Sequence, residues 1–219
     1  MKGGEKVGYG SKITEAIQKR LEGDVYLAGD PVTDTRGLVS FYWFYNNVNQ
    51  TYEKRPAIFV RDEIPVDPGL AINPDQWRTK RPGYADLVIY RYIYSPGPLA
   101  DTSFSLASSK QRKARDITQD LYCFAREDGW NTSSEGAMCE EMAERIFHLF
   151  DGRLLDIEDF GEDTHPYNAD LKRREHLTPW RNLLIKCSGP IDVPQERKNP
   201  FDPSIRGMIV TLNITVIES

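Results

Sequence analysis

The chain has 219 residues, of which 39% are hydrophobic and 28% charged, and its net charge is −5 at pH 7. This composition predicts one soluble globular domain over 1–219, and the acidic balance makes a broad basic surface for nucleic acid unexpected. A glycine-rich polar start and the lack of a long apolar run predict neither a secretory signal nor a membrane span, and three unpaired cysteines favour free thiols in a reducing cytosol.

The first predicted element is an amphipathic helix over 11–22, preceded by a flexible arm over 1–10. Ser11 is a candidate N-cap, and Gly23 is a candidate stop. The apolar positions recur at three- and four-residue steps and give the helix one apolar face: Ile13, Ala16, Ile17 and Leu21.

An aromatic and proline-rich region follows, in which 24–54 and 62–83 read as insertions or extended loops. The run GLVSFYWFYNN favours a buried strand, with an aromatic arm that pairs with another subunit as the alternative. Residues 56–61 predict a short strand, and the long loop over 62–83 is typical of a partner-bound segment. The candidate partner-binding residues are aromatic or basic: Trp43, Trp77, Arg78, Lys80 and Arg81.

Two alternating strands, at 84–95 and 115–126, are predicted to form the centre of the sheet, with a polar loop over 96–113 between them. In the first strand one face is aliphatic apart from an arginine, and the other is aromatic. In the second strand one side is mostly apolar: Ile117, Gln119, Leu121 and Cys123.

A second helix is predicted to begin at one of three candidate N-caps (Thr132, Ser133 or Ser134) and to end near Gly152. Strands over 182–193 and 207–218 follow it, within and after a third expected insertion over 156–206. The sequence therefore predicts an α+β fold, in which two main helices pack on one face of a mixed or antiparallel sheet with long loop insertions.

No pattern predicts a cofactor, metal or catalytic centre. Cys123 and Cys139 lack the paired spacing of a zinc site, so we interpret them as small core residues and His148 as a boundary residue of the helix. Phosphate-binding loops and nucleophile elbows are missing from the sequence. His165 and His176 lie in a polar region with several carboxylates, for which a solvated loop is favoured over a metal or hydrolase site.

Charged residues suggest surfaces for assembly. Acidic residues crowd the first half of the second helix, and two basic runs lie in predicted loops, where solvated loop charge is the simpler interpretation. If they form complementary patches of neighbouring subunits, the candidate interface residues are Glu140, Glu141, Glu144, Arg112, Lys113, Arg115, Lys172, Arg173 and Arg174.

The order of elements resembles the tail terminator (tail completion) proteins of long-tailed bacteriophages, the family that includes the lambda tail terminator. The resemblance covers about half of the chain. It rests on SKITEAIQKRLE as the first helix and on YADLVIYRYIY with RDITQDLYCFA as the central hairpin. The second helix would be SEGAMCEEMAERIFHLF, and the closing strand GMIVTLNITVIE.

The resemblance implies a non-enzymatic virion protein that forms a homo-hexameric ring. The ring would cap the tail tube, contact the tail tube protein, a head–neck connector and, in a contractile tail, the sheath, and let DNA pass through its lumen without a membrane being involved. Another neck, tail-tube or baseplate component, or a protein of a phage-derived particle, is the nearest alternative. A metal-dependent nuclease is more distant, because the strand at Asp86 lacks the second acid and the lysine of such a motif.

Overall fold

A computed structural model of the chain describes residues 9–60, 78–105, 113–126, 135–155, 180–182, 185–193 and 205–218. Its helices are α1 (Tyr9–Glu22), α2 (Val25–Ala28) and α3 (Glu135–Phe150). Its strands are β1 (Phe41–Asn46), β2 (Thr51–Pro56), β3 (Ile58–Val60), β4 (Arg78–Thr79), β5 (Leu87–Val88), β6 (Arg91–Ser95), β7 (Pro98–Ser105), β8 (Lys113–Ala125), β9 (Trp180–Asn182), β10 (Lys186–Asp192) and β11 (Arg206–Glu218).

The main sheet is built around the long antiparallel pair β8 and β11, which stay in register from Arg206 opposite Ala125 to Ile217 opposite Ala114. On the outer side of β8, β6 pairs with its second half and β7 with its first half, so these two strands follow one path with a break between them. On the outer side of β11, β10 pairs with its first half and β9 with its last residues. The short β3 runs parallel to β6 and lies beyond it.

Helix α3 connects β8 to the strands beyond β11. Because β8 and β10 are both antiparallel to β11, they run parallel to each other, and β11 lies between them. This is a split β-α-β arrangement, in which a helix joins two parallel strands across an intervening strand. With helices and a mixed sheet, the chain has an α+β fold, as predicted.

The main core contains apolar residues from α1, α3 and one side of the sheet. Ile13, Ile17 and Leu21 of α1 are fully buried in the same cluster as the apolar side of α3. Alternation along β8 and β11 places every second side chain in this cluster. The strand residues in it include Ile117, Leu121, Cys123, Val210, Leu212 and Ile214, so the predicted apolar side of β8 is confirmed.

The other side of the sheet is aromatic. Tyr92 and Phe124 stack with ring centroids 5.1 Å apart, and Tyr122 stacks on Phe124 at 6.0 Å. Phe59 of β3 meets Tyr92 edge-on at 6.3 Å. Burial raises the pKa of the Tyr92 hydroxyl above its ordinary value, so this residue stays neutral. Phe59, Tyr92 and Phe124 pack in a second cluster with Ala57 and Ile205, and Tyr122 packs in a third with Val193 and Ile209.

A polar network crosses the main core. Gln119 of β8 is fully buried, and its Nε2 donates a hydrogen bond of 3.1 Å to Ser95 Oγ. Thr14 Oγ1 of α1 donates to Gln119 Oε1 at 3.4 Å, and the Gly97 N–H donates to Ser95 Oγ at 3.3 Å. The network ties α1 to β8 and to the break between β6 and β7, and it gives the buried amide the partners that it requires.

The helix predictions are correct in position but not at every boundary. Helix α1 begins at Tyr9, so Ser11 lies inside it and the N-cap prediction is wrong. As predicted, it ends before Gly23. The Gly23 N–H donates to the Lys19 carbonyl at 2.9 Å. Residues 1–8 of the expected arm lie outside the described residues. So do the three candidate N-caps of α3, which ends at Phe150, near Gly152 as predicted.

The predicted strand over 84–95 is wrong as a single element. Residues 84–86 precede β5 (Leu87–Val88), and the part of it in the main sheet begins only at Arg91. Between the two, the N–H groups of Tyr90 and Arg91 both donate to Ser40 Oγ at 3.0 Å, which moves the chain from one sheet to another. The predicted alternation therefore breaks down, and Ile89 and Ile93 lie in different core clusters.

The predicted polar loop over 96–113 is also wrong, since β7 occupies much of it. The segment contains polar residues such as Thr102 and Ser103 and therefore does not have the apolar alternation that predicts a strand. The strand is defined by its pairing with β8. The strands predicted at 115–126, 182–193 and 207–218 are confirmed by β8, β10 and β11.

The three expected insertions contain regular structure. Residues 24–54 hold α2, β1 and most of β2, and they supply Leu27 and Val39 to the main core. The described end of 62–83 holds β4, and the described parts of 156–206 hold β9 and β10, with Arg206 starting β11.

Helix α2 meets the segment after it at very short range. The N–H groups of Leu38 and Val39 donate to the Tyr26 and Leu27 carbonyls at 3.1 and 3.0 Å. A Cβ atom at Gly37 would lie only 2.3 Å from the Gly29 nitrogen, so a glycine is required there for the two backbones to approach.

Candidate assembly surfaces

Two small hairpins outside the main sheet pack together into one unit, the hairpin lobe (residues 41–56 and 78–88). Strands β1 and β2 form one hairpin, and β4 and β5 form the other. Trp43 joins them, because its backbone N–H donates to Thr79 Oγ1 at 2.8 Å and its indole N–H donates to the Ala85 carbonyl at 3.1 Å. Thr79 Oγ1 in turn donates to the Leu87 carbonyl at 3.4 Å.

A cation lies over two aromatic rings of the hairpin lobe. The Arg81 guanidinium carbon is 3.6 Å from the Tyr84 ring centroid and 4.9 Å from that of Trp43. The two rings meet edge-on with centroids 5.6 Å apart. Such cation–π contacts hold a positive charge in place at the surface without neutralising it.

Cations also cover the rings of the first hairpin. The Arg55 guanidinium carbon lies 3.9 Å from the Phe44 ring centroid, and Lys54 Nζ lies 4.7 Å from that of Phe41. Glu53 accepts hydrogen bonds from Asn46 at 2.9 Å and from Arg55 at 2.6 Å. The amide hydrogen bond of Asn46, followed by that of Arg55, lowers the pKa of the Glu53 carboxyl.

The hairpin lobe is basic and exposes apolar side chains. It contains five basic residues and two acidic ones, a net charge of +3, whereas the whole chain carries −5. Tyr45, Val48 and Tyr84 are 43%, 90% and 56% exposed. Exposed apolar groups with charged neighbours are typical of an interaction surface.

The structure brings together most of the predicted partner-binding residues. Trp43 and Arg81 are in contact, and Arg78 and Lys80 lie exposed on the same hairpin. Trp77 lies outside the described residues. Lys54, Arg55 and Tyr84 belong to the same surface and were not among the predicted residues. Lys54 and Arg55 are far from Arg81 in sequence, and the aromatic residue Tyr84, three positions after Arg81, could have been included.

A second surface, the α2–α3 patch (Val25, Tyr26, Glu140, Glu141 and Glu144), lies where α2 contacts α3. It is fixed by Asp24, the N-cap of α2, whose carboxylate accepts a hydrogen bond from the Leu27 N–H at 2.8 Å. Arg145 of α3 donates to both oxygens of the same carboxylate, from Nε at 3.0 Å and from Nη2 at 2.5 Å. A two-bonded arginine–carboxylate pair of this kind fixes direction as well as distance.

The charge state of Asp24 follows from its surroundings. Burial opposes its ionisation, but the hydrogen bonds from Arg145 and Leu27 and the positive charge of Arg145 outweigh that effect and lower the pKa of the carboxyl. The same pair raises the pKa of the Arg145 guanidinium. An aspartate immediately after Gly23 is a recognisable N-cap signal, which the sequence interpretation missed.

The predicted acidic interface residues of α3 differ in their surroundings. Glu141 accepts a hydrogen bond from the Tyr26 hydroxyl, and this bond raises the pKa of Tyr26. Glu140 and Glu144 are exposed, and within the described residues neither has a hydrogen bond or an ion pair. Val25 and Tyr26 beside them are 59% and 54% exposed. The α2–α3 patch is thus acidic and partly apolar.

The predicted basic interface residues are not assembled into a described surface. Lys113 and Arg115 lie in β8, opposite Ser105 and Ser103 of β7, and not in a loop as expected. Arg112 and the run Lys172, Arg173 and Arg174 lie outside the described residues. The basic side chains that the structure does gather are those of the hairpin lobe.

Other basic residues cap the C-terminal end of α3. Arg20 donates to the carbonyls of Leu149 at 3.5 Å and Leu154 at 2.5 Å, and Arg153 donates to the His148 carbonyl at 3.0 Å. Cations at this end of a helix satisfy its last carbonyls and oppose its dipole. We therefore assign Arg20 and Arg153 a structural role, with His148 exposed at the boundary of the helix.

A cleft of about 360 Å³ separates the base of the hairpin lobe from the main sheet. Its charged lining is mixed and partly paired, since Lys54 donates to Asp34 and thereby lowers the pKa of that carboxyl. Asp86 and Arg91 also line the cleft. This cleft gathers no recognisable catalytic geometry.

The cysteines do not form a metal or redox site in the described residues. Cys123 and Cys139 are buried free thiols, as predicted, and burial raises the pKa of Cys123 well above its ordinary value. Partial burial and the nearby Asp151 raise the pKa of Cys187 to about 12. Within the described ranges, no group of three or more His, Cys, Asp and Glu side chains could hold a metal ion. The described helices include none that is long and apolar enough to cross a membrane.

Comparison of the chain with protein-family models, curated proteins and solved structures found no match.

Proposed function

We propose that the chain is a structural virion protein, a tail terminator that forms a ring, caps the tail tube and joins the tail to the head–neck complex. The observation that carries the proposal is the order of elements: an amphipathic helix, the β6–β8 pair, helix α3 and a closing central strand β11. This is the order on which the resemblance to tail terminators rests.

The arrangement of the helices supports the proposal. In a terminator-like fold both main helices would pack on one face of the sheet. The shared core of α1, α3 and the inner sides of β8 and β11 is consistent with that arrangement. In the ring we propose, this shared core keeps each subunit rigid while its outer surfaces contact neighbours.

The presence of two different surfaces also supports ring formation. A closed ring uses heterologous contacts, in which one patch of a subunit binds a different patch of the next. The hairpin lobe is connected along the chain to β3, which lies at one edge of the main sheet. Helix α3 contacts β8, β11 and β10, which lie toward the other edge. In the assembled particle, the remaining surfaces would contact the tail tube protein, the head–neck connector and any sheath, and DNA would pass through the lumen.

The first experiment measures the mass of the purified chain by light scattering over a range of concentrations, with electron microscopy of the same samples. We expect a closed ring of about six copies with a central hole. A matched sample of the Ile146→Asp variant controls for association of unfolded protein, because it lacks the folded core.

Three results would contradict the proposal: a chain that stays monomeric at every concentration, an open filament, or a compact dimer with twofold symmetry. In a dimer of that kind the same patch is used on both subunits, and no lumen is formed.

A further inference from the structure

We propose that the hairpin lobe of one copy docks on the α2–α3 patch of the next copy of the same chain. The inference rests on the proposed ring and names the two surfaces that would close it. Neither surface shares a residue with the other, as a heterologous contact requires.

The two surfaces have opposite charges. The hairpin lobe has a net charge of +3, with Arg78 and Lys80 exposed on β4 and its following turn. The α2–α3 patch presents Glu140 and Glu144, which have no ion pair within the described residues. Opposite potentials of this kind raise the rate of encounter and select the correct partner.

The two surfaces also expose apolar groups that docking would cover. Tyr45, Val48 and Tyr84 project from the hairpin lobe, and Val25 and Tyr26 project from the α2–α3 patch. Tyrosine side chains suit such contacts because they bury a large apolar area with few rotatable bonds and keep one polar atom. Charge would therefore set the pairing, and apolar contact would stabilise it.

Both surfaces are held rigidly before any contact. Trp43 and Arg81 fix the second hairpin on the first through hydrogen bonds and cation–π contacts. Asp24 and Arg145 fix α2 on α3 through paired hydrogen bonds. Less side-chain freedom is lost on association when the surfaces are already ordered, which favours binding.

A second copy suits the hairpin lobe better than a nucleic acid does. A stacking site for bases needs open ring faces, but Arg81 lies over both Trp43 and Tyr84. The chain as a whole is acidic, so its long-range field repels phosphate. The acidic counterpart of the hairpin lobe is present on the chain itself.

Two single charge reversals test the contact, one on each surface. Lys80→Glu changes the hairpin lobe, and Glu144→Lys changes the α2–α3 patch; both side chains are exposed, so the fold and the melting temperature should be preserved. We expect each variant to associate about tenfold more weakly than the unchanged chain, as measured by sedimentation velocity. The matched controls are Lys186→Glu and Glu15→Lys, which reverse exposed charges outside both surfaces and should associate normally.

Restoration is the decisive arm of the experiment. The double variant Lys80→Glu/Glu144→Lys has both charges exchanged, so the two surfaces attract again and rings should reappear. An equimolar mixture of the two single variants should also form rings in which the variants alternate. The two unchanged surfaces meet at every second contact, and the two exchanged charges meet and attract at the others. Failure of the double variant to recover any association would overturn the docking.

The remaining outcomes separate the docking from the ring. Normal rings from both single variants would overturn the docking and leave the ring proposal standing. A wild-type chain that never forms rings would overturn both. Binding of a fluorescent oligo-dT that Lys80→Glu abolishes, with normal association of that variant, would identify the hairpin lobe as a nucleic-acid surface and overturn the docking.

Discussion

Gln119 shows how a polar residue can be required inside an apolar core. Its amide is fully buried but has partners on both sides, Ser95 and Thr14. Removing one member of such a network takes a hydrogen bond away from each of its neighbours in a place that water does not reach. The residue thus fixes the position of α1 relative to the β6–β7 break as well as contributing to stability.

Gln119→Leu should lower the free energy of unfolding by about 1–3 kcal/mol, because Ser95 Oγ and Thr14 Oγ1 lose their partner. Urea denaturation followed by circular dichroism measures the change. Thr118→Val, one residue along the same strand and half-buried, is the control and should change stability by less than the core variant. A Gln119→Leu variant as stable as the unchanged chain would show that the network contributes little.

The Asp24–Arg145 pair should make the free energy of unfolding depend on pH in the acidic range. The pKa of Asp24 is lower in the folded chain than in the unfolded one, so the unfolded state binds the proton more readily. The stabilisation is therefore fully present above the unfolded pKa of about 3.9 and is lost as the pH falls through the lower folded value.

Asp24→Asn removes this ionisation while keeping an N-cap side chain. We expect the variant to be less stable than the unchanged chain at pH 7 and the difference to shrink toward pH 2, in denaturation curves measured at several pH values. A difference that is constant with pH would contradict the assignment of the acid sensitivity to this carboxylate.

At the scale of elements, α3 is the helix on which the core depends most. Its buried side includes Met142, Ile146 and Phe150, each fully buried. Ile146→Asp should prevent folding, because an unpaired carboxylate would be placed among these side chains, and Ile146→Ala should cost about 2–5 kcal/mol. Circular dichroism and melting curves check both, with the exposed Glu140→Ala as a control. A cooperatively folded Ile146→Asp protein would contradict the burial.

Loss of the Trp43 indole hydrogen bond should increase local opening of the hairpin lobe without unfolding the main sheet. Trp43→Phe keeps a ring but removes the indole N–H that bonds to the Ala85 carbonyl. We expect faster amide hydrogen exchange over 78–88 and little change in β8 or β11, because the lobe is a separate pair of hairpins. Uniformly faster exchange across the main sheet would show that the lobe supports the core.

Strong periodicity made the central elements predictable, and long-range pairing made the others unpredictable. The residues of α1 and the alternation in β8 and β11 carry their own signal, since one face of each is apolar. In β7 the residues are polar, and only the pairing with β8 makes them a strand. The break at Tyr90 depends on Ser40, a residue far away in sequence.

The candidate surfaces were only partly predictable for the same reason. Trp43 and Arg81 were predicted as partner-binding residues because they are aromatic or basic and lie in an aromatic, proline-rich region, and the two side chains are in contact. The basic run that includes Lys113 and Arg115 was predicted to lie in a loop, with solvated loop charge favoured over an interface. The place of these two residues in a strand depends on pairing that sequence alone does not reveal. Contacts such as Asp24 with Arg145 join residues more than a hundred positions apart.

At the scale of the whole molecule, charge is divided unequally. The hairpin lobe carries +3 and the chain −5, so the remaining residues together carry −8. The basic hairpin lobe of one copy attracts the acidic surface of another in a head-to-tail order, whereas two hairpin lobes repel each other. This polarity favours an ordered succession of subunits over a random cluster.

The self-association that we propose should accordingly weaken as the salt concentration rises. Between about 50 mM and 500 mM NaCl the Debye length falls by roughly a factor of three, which screens exposed charges. Sedimentation velocity at each salt concentration measures the change, and sucrose at matched density serves as the control. Association that strengthens with salt would show that apolar contact, and not charge, holds the subunits together.

The position of β11 has a consequence for synthesis. Although it comes after the other described strands in sequence, it lies between β8 and β10 at the centre of the sheet. While residues 206–218 remain inside the ribosome, β8 and β10 have no partner between them, and the nascent chain cannot complete its sheet. A product that stops before Arg206 would lack the strand around which the others assemble, so incomplete chains should expose apolar surface and fail to fold.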